Sequence, residues 1–171
     1  MESVKLKGVG ALETTMTELL KGFGISSVEL ATEYAYYHIN ESITFQITHS
    51  LVDSWFDDFV TKSFHIEDYD SFVFSLLHEV GHHMTMDSIP EEIQKKVDKK
   101  KDWIEKVISH RFIPRFVVKK LEFTYFNLYD EVKATKWAVW YYRNHKDEVS
   151  KLIRKANFAL MQFYKVNGVT E

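Results

Sequence analysis

Cysteine is absent from the 171 residues. That excludes a disulfide scaffold, a thiol nucleophile and any zinc site built on thiolates. A bound metal must therefore be held by His, Asp and Glu. Proline occurs twice and glycine six times, so tight turns are few and the chain reads as helix-rich. No apolar run approaches 18 residues, which excludes a membrane-spanning helix. Met1 to Gly10 lacks an apolar h-region, so no secretory signal is expected and a cytoplasmic location is. Basic charge is scarce in the first half. Residues 1–90 carry 4 Lys and Arg against 14 Asp and Glu, a balance of −10, and residues 91–171 carry 18 against 11, a balance of +7. The sum of −3 argues against nucleic acid as a partner. A nucleic-acid reading would rest only on Lys95, Lys96, Lys99, Lys100, Lys101, Arg111, Arg115, Lys119 and Lys120; the positive balance of the second half reads instead as the solvated face of a long charged helix.

What is present is a globular balance, 45% hydrophobic with 27% charged, expected to form one domain over 1–171. Thr14 or Thr15 reads as the cap of a short helix that Gly22 or Gly24 ends. Ser26 with Glu29 fits a capping box, so 28–38 reads as a helix, although Tyr34, Tyr36 and Tyr37 also suit a strand. Ile43 to Thr48 alternates apolar and polar and reads as a strand with one core face and one half-exposed face. Leu51, Val52, Trp55, Phe56, Phe59 and Val60 recur at helical spacing. Asp70 or Ser71 caps a further helix that is apolar on nearly every side, and so expected at the centre of the core. A charged helix follows from Asp87 or Ser88 to about Ile108, with Pro90 and Glu91 in its first turn and a stripe of Ile93, Val97, Ile104 and Val107. Pro114 marks a break. A last helical region runs from about Phe116 to Tyr164, interrupted near Asn144 and His145. The expected fold is α+β, mostly helical, with a small antiparallel or mixed sheet.

The central helix contains His78-Glu79-Val80-Gly81-His82, an H-E-x-x-H pattern. Residues four apart stack on one helix face, so two imidazoles can aim at one ion at about 2.0–2.1 Å. Glu79 lies about 100° around the helix. It suits a general base acting on water held by the metal. Burying two imidazoles and a carboxylate in so apolar a helix is costly without a partner, which favours a metal over core histidines. His83 points away and reads as a surface residue.

A catalytic zinc takes three protein ligands and keeps one open position. Glu131 is the best third ligand. Ala134 and Ala138 share its helix face, and these small residues with Gly81 would let two helices approach closely. Asp130, His110 and His145 are alternatives. Tyr125, Tyr129, His110 and Tyr141 could each stabilise an oxyanion. Trp137, Trp140, Tyr141 and Tyr142 read as core packing.

The order of strand, H-E-x-x-H helix and later helix with Glu131-x-x-Ala134 resembles a minimal zincin of the gluzincin type. Within that group it is most similar to the ImmA/IrrE-type metallopeptidases of bacteria and phages, or to a divergent phage or mobile-element zincin. The matching stretches are about 34–84 and 125–140. The 48 residues between His82 and Glu131 hold a charged helical insertion at about 88–120, and Thr135 stands where larger gluzincins carry Asp. The resemblance implies a zinc-dependent peptidase with Zn2+ held by His78, His82 and Glu131 and water activated by Glu79. Its substrate would be a protein or peptide laid along Ile43–Thr48 as an added strand, and a regulatory protein is a possible partner. The alternative is a zinc-holding zincin fold that binds a host or regulatory protein without cleaving it.

Overall fold

In a computed structural model of the chain, residues 7–31, 36–38, 41–46, 54–66, 69–109 and 112–168 are described. Ten regular elements run α1 (Val9–Leu20), β1 (Ser27–Ala31), β2 (Tyr36–His38), β3 (Ser42–Gln46), α2 (Ser54–Phe64), α3 (Ser71–Thr85), α4 (Glu91–Ile108), α5 (Arg115–Phe126), α6 (Tyr129–Asn144) and α7 (Lys146–Val166). The fold is mostly helical α+β, as expected.

The α1 helix starts earlier than its threonines imply. Gly8, at φ 74, forms its N-terminal boundary. The Thr14 and Thr15 hydroxyls donate back to the carbonyls of Gly10 and Ala11, the bond a threonine makes inside a helix rather than at its cap. A short 3-10 turn, Lys21–Phe23, then closes on Gly24 at φ 86, as the glycine signal predicts. Leu12, Met16 and Leu20 fall on one face, which packs against β1 and α7.

The expected helix at 28–38 is replaced by strands β1 and β2. Ser26 does not cap: its hydroxyl donates to the Glu41 carbonyl. Glu13 and Thr17 of α1 accept from the backbone N–H groups of Leu30 and Val28. Tertiary partners therefore override the local capping pattern. The sheet is mixed, in the order β1-β3-β2. Val28 faces Ile43 in the parallel pair, and Tyr37 faces Ile43 in the antiparallel one. Ile43 and Phe45 enter the core as the alternation predicts, but Ser42 and Thr44 are buried too, because β3 is the middle strand. Ile47 and Thr48 lie outside the described residues, as do Tyr34, Leu51 and Val52. In α2, Phe56, Phe59 and Val60 are buried.

The α3 helix begins at Asp70, whose Oδ1 accepts from Val73 N–H at 2.9 Å. Nine of its residues are buried, among them Phe74, Leu77 and Val80, so it runs through the middle of the molecule as its all-round apolarity predicts. Pro90 sits just before α4 rather than inside it. Val97 and Ile104 form that helix's buried contact, with Ile93 and Val107 half-buried. Pro114 precedes α5. The final region has two breaks, not one: at Asn127 and Leu128 before α6, and at the expected His145 before α7. No helix among the described residues is long and apolar enough to cross a membrane.

Candidate metal centre

Among the described residues, the most extensive contact between elements is that of α3 with α6. Its approach depends on Gly81. A Cβ built there would lie 3.0 Å from Ala134 Cα and nearer still to the Ala134 carbonyl oxygen. Ala134 and Ala138 are fully buried, as the run of small residues predicts. This contact sets Glu131 of α6 beside His78 and His82 of α3.

Glu131 Oε2 lies 3.1 Å from His78 Nε2 and 3.4 Å from His82 Nε2. One ligand atom from each of the three residues falls within 4.8 Å of the others. Three ligands on tetrahedral arms of about 2.0–2.1 Å stand roughly 3.3 Å apart. Both Glu131–imidazole spacings match, so this group could hold a metal ion. His78 is 5% exposed and Glu131 4%, and His82 is half-buried.

Hydrogen bonding orients the His78 ring. The Thr135 hydroxyl has one proton, which it donates to the Glu131 carbonyl at 2.8 Å. Its oxygen therefore accepts from His78 Nδ1–H at 3.1 Å. The other ring nitrogen, His78 Nε2, faces the Glu131 carboxylate. Burial favours the neutral acid at Glu131, but His82, the Lys101 ammonium and the His78 contact outweigh it and hold the carboxyl well below the usual carboxylate range. Two imidazole nitrogens thus converge on one carboxylate oxygen in a dry interior, an arrangement that a cation held between them would satisfy.

Around this group lie Glu79, Asp130, Lys101 and Tyr125. Glu79 is 7% exposed and Asp130 5%. Lys101 reaches in from α4, its Nζ at 2.6 Å from Asp130 Oδ2 and 2.5 Å from Glu131 Oε1. Burial opposes its charge, but Glu131, Tyr125 and Asp130 together raise its pKa above the ordinary lysine range. Burial also raises the Tyr125 hydroxyl, helped by Glu131 and, further down, by Glu79 and Asp130, so Tyr125 stays protonated beside the carboxylates. Three carboxylates and one ammonium thus crowd this centre, and a divalent cation would help to balance the acidic groups.

Other sequence-level candidates lie elsewhere. Asp130 binds Lys101 and is not one of the three converging ligands. His145 pairs with Glu148 at 3.0 Å and stacks on Tyr141. Tyr141 donates to Glu148, and Tyr129 is exposed beside Lys133. His110 lies outside the described residues. His83 turns from the site toward Gly24 and is half-buried rather than at the surface. Trp140 is exposed rather than in the core, whereas Tyr141 is buried and Trp137 and Tyr142 pack against the core. The expected peptide-binding strand is also corrected. From Ser42 to Thr44, β3 is paired with β1 on one side and β2 on the other, so this part of it has no open edge for a substrate to join.

No family model, curated protein or solved structure matches the chain. The case for its chemistry rests on the site itself. Sequence reasoning missed Lys101, which looked like one more charge on a basic helix. Only the α4–α6 packing marks it out, because its neighbour Lys100 turns outward over Trp103.

Proposed function

We propose that the chain is a minimal zincin of the gluzincin type, a zinc-dependent peptidase acting on a peptide bond in a protein substrate. The observation that carries this reading is the convergence of His78 Nε2, His82 Nε2 and the Glu131 carboxylate within 4.8 Å on an H-E-x-x-H helix. Zinc held there supplies a Lewis acid and makes water acidic enough to ionise near neutral pH. His78 and His82 would bind it through neutral ring nitrogens, with Thr135 fixing the His78 ring. Glu131 contributes one anionic ligand. Glu79, next to the first ligand on the same helix, is the general base that takes a proton as water attacks the carbonyl. Tyr125, protonated and close to these groups, is the donor best placed for the developing oxyanion. The outer edge of β2, which packs against α3, replaces β3 as the strand a peptide would join. The resemblance to ImmA/IrrE-type enzymes makes a regulatory protein the substrate class.

The deciding variant is Glu79→Gln. It is expected to keep stoichiometric zinc, by metal analysis of the purified protein, and to lose peptide hydrolysis by about 10²–10⁴-fold. Loss of zinc in this variant would give Glu79 a ligand's role and remove the mechanism.

The near-complete burial of His78, Glu79 and Glu131 favours a second reading, in which the zinc-holding fold binds a host or regulatory protein without cleaving it. Under that reading the zinc-loaded wild type cleaves nothing, and Glu79→Gln binds the partner as well as wild type does.

A further inference from the structure

The Glu131 carboxylate is divided between two neighbours. Its Oε2 faces both imidazoles, at 3.1 and 3.4 Å, while its Oε1 lies 2.5 Å from Lys101 Nζ. Lys101 is itself anchored. Asp130 Oδ2 accepts from the ammonium at 2.6 Å, and Asp130 Oδ1 accepts from the Glu131 backbone N–H at 2.8 Å. The ring of Tyr125 closes the other side, 5.0 Å from Nζ. The Lys101 side chain is 20% exposed, unlike the surface pair Lys95–Glu91 one turn and more away, where both partners are mostly exposed. A lysine that served only to pin α4 to α6 would be satisfied by Asp130 alone. The second bond, to the metal-facing glutamate, has a different consequence: one carboxylate oxygen is occupied and the other is left to the imidazoles.

Resting on the metal-centre reading above, we propose that Lys101 is a positioning residue. It holds Glu131 so that the carboxylate offers a metal one oxygen rather than two, with Asp130 fixing the ammonium in place. Partners of this outer kind orient metal ligands and commonly change affinity by about 10–100-fold. The charged helix between the histidines and Glu131 in the sequence thereby becomes part of the metal centre.

The test uses the full chain and two probes, zinc and cobalt(II). Zinc affinity is read by competition with a chelator. Coordination is read from the visible absorption of the cobalt-loaded protein, which weakens as coordination rises from four to five. The wild type is measured first, and a wild type that binds neither ion overturns the metal centre and this proposal together. Given a binding wild type, Lys101→Met is expected to lower zinc affinity by about 10–100-fold and to weaken the cobalt bands as Oε1 becomes a second ligand. Lys101→Arg keeps a charged donor and is expected to restore most of the affinity and the wild-type spectrum. Unchanged affinity or an unchanged spectrum in Lys101→Met overturns the role of Lys101 and leaves the metal centre standing. Should Lys101→Met fail to fold, Asp130→Asn, which removes the anchor but keeps the ammonium, carries the same readings.

Discussion

Thr135 shows how much one hydroxyl decides. By donating to the Glu131 carbonyl and accepting from His78 Nδ1–H, it aims the other nitrogen of that ring at Glu131. Replacing it with valine keeps the shape but removes the acceptor, leaving a buried N–H unpaired. Thr135→Val should lower zinc affinity by about 10–100-fold, and Thr135→Ser should retain it, both measured by chelator competition. Equal affinity in the two variants would mean that packing alone orients His78. The histidines and Glu131 are legible in the sequence because their spacing is local: four residues on one helix, and a glutamate preceding alanines at three and seven. Lys101 and the Thr135 bond are not legible. Each depends on two helices meeting, and a lysine aimed inward looks the same in sequence as its solvated neighbours.

At the level of elements, the α3–α6 contact makes the site. The pair of small faces was readable, and the reason is steric: a side chain at Gly81 would press on backbone at Ala134, which cannot rotate aside. Gly81→Ala should therefore push the helices apart. Overpacking of this kind costs about 1–3 kcal/mol, visible in urea denaturation. Since the same shift separates Glu131 from both imidazoles, stoichiometric zinc should be lost as well. Stable zinc binding in Gly81→Ala would mean that the close approach is not what builds the site. The α3 helix was legible because Asp70 caps it and its apolar surface is continuous. The region after Ser26 was misread because its capping signal is local, whereas the bonds that decide it come from Glu13, Thr17 and Glu41. The charged half of the sequence hid the break at Asn127 and Leu128, since neither glycine nor proline marks it.

For the whole molecule, the buried charge cluster couples metal to stability. The fold keeps Glu79, Asp130 and Glu131 in the interior, with the Lys101 ammonium bonded to the last two. A cation that binds the folded chain and not the unfolded one stabilises it by mass action, by about 4 kcal/mol at a thousand times its dissociation constant. For a chain of this size each kcal/mol moves the melting temperature by roughly 2–4 °C, so saturating zinc should raise it by about 8–16 °C. Chelation should reverse the gain. Imidazole ligands must be neutral to bind, so the zinc increment should be present near neutral pH and shrink as acid protonates the ligands. The His78→Ala variant should lack the increment at every pH. Paired melting curves with zinc and with chelator, at neutral and at mildly acidic pH, measure all of this. An increment that persists unchanged in His78→Ala would place the stabilising metal elsewhere in the molecule, and the three converging ligands would then need another explanation.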